Sequence, residues 1–343
     1  MTFAFGFFLA AVRAVQNAVP IFRPSFAPDH WLCTVRAVFL RQVAFFDHFR
    51  HGILCAAKHM AFKVLLLLAV TISAANAQTV ASFKDAEFAW PGVLSGSWES
   101  GFATVDYNEL RDINGRDEIP EKRAGKAYVD LSVRRAEEDL IIPTIVGDVK
   151  VIATGQSSTA NFVIIYIHGQ GGSRLQGADD FTFGGNFNRL KNLVARSGGL
   201  YLSADFTDFS KKGVAEITAL IGRARGGAAP NAPIIVACAS QGGAICNGLA
   251  LSPVGGTLGG MLFLGASPDG RLLQSDAWLN RVPIFIGHGS RDPVFAIAKV
   301  EAFHQRLAAG GYPAKMARFE NGNHGTPIRM TDWRLVLNWM MER

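Results

Sequence analysis

Apolar segments and amphipathic segments alternate along the second half of the chain. Apolar-rich runs, the pattern of buried strands, occupy residues 162–167, 200–204, 233–237, 260–264, 282–286 and 314–319. Segments that fit helices lie between or after them, at 190–195, 214–225, 294–309 and 333–341. Regular alternation of strand and helix is typical of a parallel sheet covered on both faces. The sequence therefore predicts the α/β fold class, with a mostly parallel central sheet flanked by helices.

Residues 78–160 have a less regular pattern. Three segments alternate well enough to be predicted as strands, at 101–107, 126–133 and 148–153. A charged stretch, residues 111–125, connects the first two. We therefore expect this part of the chain to approach the central sheet through antiparallel strands.

The N-terminal 77 residues differ from the rest of the chain. Residues 1–59 hold ten of the 25 Phe and four of the eight His, and they show no sustained period. Residues 60–77 have the order of a signal peptide: Lys63 precedes the short apolar run Val64–Ile72, and small residues end at Ala77. We expect translation to start at Met60, so that residues 1–59 are a spurious or disordered extension. The mature chain, a single domain over residues 78–343, would then be periplasmic or secreted.

The net charge of +6 comes mostly from this N-terminal part. Residues 1–77 hold seven Lys or Arg and two Asp, which leaves 27 basic and 26 acidic residues in the mature chain. A balanced charge gives no reason to expect a nucleic-acid partner. The apolar run of the signal peptide is too short to span a bilayer, so we expect no stable membrane span in the mature chain. The sequence leaves the oligomeric state open.

The segment Cys238–Gly242 carries the strongest chemical signal. It follows an apolar run, places Ser240 between small residues, and opens a helix-compatible stretch, residues 242–250. This order is typical of a nucleophile elbow, a sharp turn that lifts a serine hydroxyl out of a sheet. Strand and helix nearly touch there, which favours small residues two positions before and after the serine. Gly242 meets this requirement, whereas Cys238 stands where glycine is usual.

Other strand ends carry candidate partners for Ser240. His168–Gly172 follows the strand 162–167, and its glycines would let backbone N–H groups bind a developing oxyanion. One donor would be Gly169 or Gln170, and the other would be the N–H of Gln241.

A serine hydroxyl also needs a base and an acid that orients the base. His324 lies between glycines after the last strand and is the preferred base, with His288 as the alternative. Asp292 follows the strand 282–286 and is the preferred acid; Asp205 and Asp208 remain alternatives.

The order Ser, Asp, His on separate strand-end loops resembles the α/β-hydrolase superfamily. The likeness covers residues 161–343 and is greatest to its small esterase, phospholipase and dienelactone-hydrolase-like members. It implies that Ser240 is the nucleophile, Asp292 the acid and His324 the base. Lids of the superfamily are usually inserted near the connection between strands 260–264 and 282–286. This connection has about 17 residues, so little or no cap domain is expected.

The resemblance implies hydrolysis of a small-molecule carboxylic ester through an acyl-enzyme, with no metal and no organic cofactor. Acyl transfer and peptide cleavage on the same residues are alternatives. A non-catalytic binding protein that keeps the hydrolase scaffold is another.

Two of the four cysteines, Cys238 and Cys246, fall within the predicted mature chain and flank Ser240. An exported protein meets an oxidising compartment, where disulfides form and persist. The sequence allows either a disulfide between them or two buried thiols.

Overall fold

The computed structural model describes residues 79–342. The predicted signal peptide, residues 60–77, and the extension before it, residues 1–59, lie outside the described residues. Strands β1 to β12 of the described chain are Val93–Ser97, Phe102–Val105, Asp117–Glu118, Arg123–Ala124, Glu137–Thr144, Gly147–Gly155, Val163–Ile167, Leu200–Ala204, Ile234–Ala239, Gly260–Leu264, Ile284–Gly289 and Ala314–Phe319. Its helices α1 to α10 are Asp85–Phe88, Glu109–Asp112, Arg174–Ala178, Asn186–Arg196, Lys211–Gly227, Gly243–Ala250, Asp276–Leu279, Ile297–Ala309, Thr326–Met330 and Trp333–Met341.

Ten of these strands form one sheet in the order β1-β2-β12-β11-β10-β9-β7-β8-β6-β5. The strands from β8 to β2 in this order are parallel to their neighbours. The three remaining pairs, β1 with β2, β5 with β6, and β6 with β8, are antiparallel. The predicted mostly parallel sheet is confirmed.

The central strands of the sheet are buried on both sides, because helices cover both faces. Along β7, Val163, Ile165 and Ile167 belong to one hydrophobic cluster. Ile164 and Tyr166 point to the opposite face and belong to a second cluster. This side-chain alternation splits the core into two layers, and the helices close each layer from outside.

The region before the central sheet differs in part from its prediction. β1 and β2 do extend the sheet as an antiparallel pair, at the edge beside β12. The strand predicted at 126–133 is wrong: the chain forms 3₁₀ turns at Lys126–Tyr128 and Leu131–Ala136. Between them the Asp130 carboxylate accepts a hydrogen bond from the Ser132 N–H at 2.9 Å. This local side-chain bond competes with strand pairing.

The connection from β10 to β11 carries no inserted cap. It contains a 3₁₀ turn, Gly270–Gln274, and the four-residue helix α7. The prediction of little or no cap is therefore confirmed at this connection. Within residues 79–342, none of the helices combines the length and apolar character needed to cross a bilayer.

Candidate active site

Ser240 lies at a sharp turn between β9 and α6. Its φ of 50° is in the left-handed region, which a side chain rarely adopts. A methyl group added at Gly242 would lie 2.6 Å from the His168 carbonyl oxygen and 2.8 Å from that of Ile167. The close approach of these backbones explains why position 242 accepts glycine. The strained backbone at Ser240 is the geometry of a nucleophile elbow.

Cys238, two positions before Ser240, forms a disulfide with Cys246 of α6. Both residues are fully buried. The bond joins the end of β9 to the helix that follows the turn, so it closes a covalent ring around Ser240. A buried disulfide thus replaces the glycine that is usual at this position of the elbow.

His324 connects Ser240 to Asp292 through two hydrogen bonds. The His324 Nε2 atom lies 2.7 Å from Ser240 Oγ, and its Nδ1 atom lies 2.7 Å from Asp292 Oδ2. An ionised carboxylate only accepts hydrogen bonds, so the imidazole carries its proton on Nδ1. Nε2 is then free to accept the hydroxyl hydrogen of Ser240. This arrangement can move a proton from the hydroxyl to the imidazole.

The Asp292 carboxylate is buried and held by four groups. Besides His324, its Oδ1 accepts hydrogen bonds from the N–H groups of Val294 at 2.7 Å and Phe295 at 3.1 Å. The Nε2 atom of His288 lies 3.5 Å from Oδ2. These contacts fix the carboxylate beside His324, and the N–H groups offset its negative charge inside the protein.

His288, the alternative base, is directed into the protein. Its side chain is fully buried, and its Nε2–H donates to the Phe295 carbonyl oxygen at 2.8 Å. Burial lowers the pKa of His288, because the charged imidazolium would lose its hydration. A neutral, buried ring whose Nε2 is already bonded supports the loop rather than meeting Ser240.

The alternative acids are engaged elsewhere. The Asp205 carboxylate accepts hydrogen bonds from the backbone N–H of Arg174 at 2.6 Å and from its Nη1 at 2.8 Å. Asp208 binds the N–H and hydroxyl of Ser210 at the start of α5. Of the three sequence candidates, Asp292 is the one bonded to His324.

The loop that carries His324 is fixed by contacts that the sequence did not predict. Arg329, on the adjacent helix α9, forms a bidentate ion pair with Asp117 at 3.0 and 2.6 Å. Both side chains are buried. The Asn186 Nδ2 group donates to the carbonyl oxygens of Ile328 and Thr331 at 2.7 and 2.9 Å. No sequence pattern links partners more than 140 positions apart.

The predicted oxyanion loop, His168–Gly172, lies directly beside Ser240. A methyl group at Gly169 would lie 2.8 Å from Ser240 Cβ, so the backbone of this loop can approach closely. Gln170, in this loop, and Gln241, next to Ser240, are both exposed. The ring of His168 stacks on Phe206 with centroids 4.5 Å apart, which fixes the start of the loop. The choice between Gly169 and Gln170 as second donor stays a prediction.

Gly265 is a site residue that sequence analysis missed. It follows β10 with a φ of 56°, and a methyl group there would lie 2.7 Å from the His324 carbonyl oxygen. Its N–H donates to Gly287 O at 2.9 Å. A glycine at a strand end can indicate such a close approach. The chain has 36 glycines, so this one did not stand out in the sequence.

The strand order and the elbow define the class of fold. From β5 to β12, an antiparallel edge leads into six parallel strands, and the serine turn follows the middle strand β9. This is the α/β-hydrolase fold, as the resemblance in the sequence implied. Within residues 79–342, no group of three or more His, Cys, Asp or Glu side chains is arranged to hold a metal ion.

Comparisons with known proteins give matches among solved structures. No family model and no curated protein matches the sequence. The esterase Pf2001 of Pyrococcus furiosus is 14% identical with a TM-score of 0.45; the match covers 60% of this chain and 92% of that one. An α/β serine hydrolase homologue from Coxiella burnetii is 17% identical with a TM-score of 0.41, covering 59% and 95%. An esterase of Thermogutta terrifontis is 15% identical with a TM-score of 0.40, covering 55% and 83%.

Proposed function

We propose that this protein is a serine hydrolase that cleaves carboxylic esters through an acyl-enzyme on Ser240. The observation that carries the proposal is the pair of 2.7 Å hydrogen bonds joining Ser240, His324 and Asp292 at a strained elbow. A serine hydroxyl becomes nucleophilic when a neighbouring base takes its proton. The two hydrogen bonds support His324 as that base and Asp292 as the acid that orients it.

Acylation begins when Ser240 Oγ attacks the ester carbonyl carbon and His324 Nε2 takes the hydroxyl proton. The carbonyl oxygen becomes an oxyanion, which the N–H of Gln241 and that of Gly169 or Gln170 would stabilise. Collapse of this intermediate breaks the bond to the alcohol oxygen, which receives the proton from Nε2. The acyl group is then bonded to Ser240 Oγ.

Deacylation repeats these steps with water. Nε2 takes a proton from the water as its oxygen attacks the acyl carbon, and Ser240 leaves with the proton returned from Nε2. Throughout, the Asp292 carboxylate keeps the imidazole in one tautomer and stabilises its positive charge. None of these steps uses a metal or an organic cofactor.

Labelling with a fluorophosphonate tests the nucleophile. The wild-type protein should become covalently labelled and should hydrolyse 4-nitrophenyl acetate, whereas Ser240→Ala should do neither. A folded wild type that is neither labelled nor active would overturn the proposal, and the non-catalytic binding protein would take its place.

Substitution of Asp292 tests its proposed role as the acid that orients His324. Asp292→Asn should lower kcat by about 10⁴-fold, because an amide allows the wrong imidazole tautomer. Asp205→Asn is the matched control: it alters a partly exposed aspartate bound to Arg174 and should keep most of the activity. Equal losses in both variants would contradict the assignment of Asp292.

We also propose that the protein is exported and matures near Gln78. Two observations support this: the signal-peptide pattern of residues 60–77, and the disulfide between Cys238 and Cys246, a bond rare in reducing compartments. N-terminal sequencing of the protein from the periplasm or medium should begin near Gln78. A cytosolic product that still carries residues 60–77 would refute the proposal.

A further inference from the structure

Two phenylalanines, Phe295 and Phe183, lie at the loop that carries His324, and the steps proposed above do not use them. The Phe295 ring lies 5.8 Å from the His324 ring, centroid to centroid, tilted by 45°. Its backbone is held at both ends: the N–H donates to Asp292 and the carbonyl oxygen accepts from His288. The bonds to Asp292 and His288 therefore fix the backbone that carries the Phe295 ring.

Phe183, which is distant in sequence, approaches the loop that carries His324. It begins a turn in which Phe183, Gly184 and Gly185 all have left-handed φ values of 50°, 63° and 76°. A side chain at such a φ is strained, and the strain persists only where the surroundings impose it. The Phe183 ring packs edge-on against the buried Phe187 at 5.8 Å.

The strained turn directs Phe183 toward Gly325, the neighbour of His324. A methyl group on Gly325 would lie 3.4 Å from Phe183 Cε1, which is van der Waals contact. A methyl group on Gly184 would lie 2.7 Å from Arg329 Nη1, so the turn fits tightly against α9. Phe183 and Phe295 are both partly exposed, so both residues are accessible to a ligand.

The chemistry of the site decides which part of a substrate would meet these rings. In the proposed reaction His324 Nε2 gives its proton to the alcohol oxygen, so that oxygen must come within about 2.6–3.2 Å of it. The carbonyl oxygen lies instead toward the oxyanion loop near Gly169. A side chain on the Nε2 side of the imidazole is therefore in the place to contact the alcohol part of the ester.

We propose that Phe183 and Phe295 form the binding site for the alcohol part of the substrate and select flat, aromatic alcohols. The inference rests on the proposed esterase function. Aromatic rings favour offset or edge-to-face contacts with other rings. An aryl ester presents such a ring at the alcohol oxygen, whereas an alkyl ester does not.

Two acetate esters isolate this preference. Phenyl acetate and 2,2,2-trifluoroethyl acetate form the same acetyl-enzyme, so they differ only in acylation and the difference appears in kcat/KM. In Phe183→Ala and Phe295→Ala the ratio of kcat/KM for phenyl over trifluoroethyl acetate should fall about three- to tenfold relative to wild type. Comparison with the wild-type ratio cancels the different reactivity of the two leaving groups.

A second series keeps the alcohol and varies the acyl group. The ratio of kcat/KM for 4-nitrophenyl acetate over 4-nitrophenyl hexanoate should stay within twofold of wild type in both variants. Phe181→Ala is the matched control, because its ring lies over Arg123 at 4.7 Å; both ratios should stay unchanged. Phe183→Leu and Phe295→Leu keep the bulk of the side chain and replace any alanine variant that fails to fold.

The outcomes separate this inference from the proposed function. An active wild type whose phenyl preference survives both substitutions would overturn the inference and leave the esterase function standing. A change in the acyl ratio alone would assign the rings to the acyl side and also overturn it. A folded wild type without fluorophosphonate labelling or ester hydrolysis would overturn the function itself, and the inference with it.

Discussion

At the scale of single residues, the site depends on backbones that come closer than side chains allow. Gly242 and Gly169 permit the approach of the predicted oxyanion loop to the Ser240 turn, and Gly265 permits the approach of β10 to the His324 loop. Gly169 lies against Ser240 and Gly265 against His324, two residues with proposed catalytic roles. Small changes at these glycines therefore displace reacting groups.

Gly265→Ala should lower kcat by about 10²-fold. The new methyl group would lie 2.7 Å from the His324 carbonyl oxygen, and a displacement of about 1 Å in a catalytic group can cost this much. The measurement is kcat on 4-nitrophenyl acetate, with the fold checked by circular dichroism. Gly311→Ala is the control, because Gly311 has a similar φ of 59° and nothing within 4 Å of the added methyl. Similar losses in both variants would show that backbone strain alone is responsible.

At the scale of elements, the disulfide between Cys238 and Cys246 ties β9 to α6 across the Ser240 turn. By restricting the unfolded chain, a ring of this size stabilises a protein by about 2–3 kcal/mol. Reduction should lower the free energy of unfolding of the wild type by that amount. The double variant Cys238→Ala with Cys246→Ala should not respond to the reductant. Urea unfolding with and without reductant makes the comparison.

Mass spectrometry tests the bond itself. Tryptic peptide 226–271 holds both Cys238 and Cys246. After alkylation of denatured, unreduced protein, this peptide should carry no alkyl group. Two alkylated cysteines would contradict the structure.

A second link between elements is the buried ion pair of Asp117 and Arg329, which joins the β3–β4 hairpin to α9. Asp117→Asn should lower the free energy of unfolding by about 3–5 kcal/mol, because it leaves a buried guanidinium without its counter-charge. The control is Asp106→Asn, at the exposed pair with Arg111, where the expected loss is about 0–1 kcal/mol. Urea unfolding would contradict the prediction if both variants lost similar amounts.

At the scale of the whole molecule, buried histidines couple stability to pH. Burial lowers the pKa of His304 from its ordinary 6.5, and a hydrogen bond with the Gly101 backbone offsets only part of this effect. Below pH 6.5 the unfolded chain binds more protons than the folded one. The contribution of each such histidine to the free energy of unfolding is therefore fully present above pH 6.5. It falls as the pH drops below that value, by about 1.4 kcal/mol per pH unit.

His304→Phe should make the free energy of unfolding less sensitive to pH between 6.5 and 5. The substitution removes one group that must stay neutral in the folded state, while a ring still packs near Phe102. Urea unfolding at pH 7, 6 and 5 measures the slope for both proteins. His288, whose pKa burial also lowers, should leave a residual slope in the variant. Identical slopes would contradict the role given to His304.

Regular elements were predictable because each reflects a local pattern. The strands β8, β10 and β12 and the helix α10 occupy the predicted ranges, since a buried strand or an amphipathic helix shows its period in neighbouring residues. The segment 126–133 misled the prediction, because Asp130 forms local bonds that no periodicity reveals.

The sequence by itself determined the fold class and the chemical identity of the candidate site. Strand-end loops of a parallel sheet gather at one edge, so Ser240, Asp292 and His324 could be chosen from their places after strands. The tertiary structure alone showed the hydrogen bond between His324 and Asp292 and paired Cys238 with Cys246. It also brought Gly265 against the His324 carbonyl oxygen, Phe183 close to Gly325, and Asp117 against Arg329. Distances between side chains far apart in the chain depend on packing, and packing leaves no periodic trace in a single sequence.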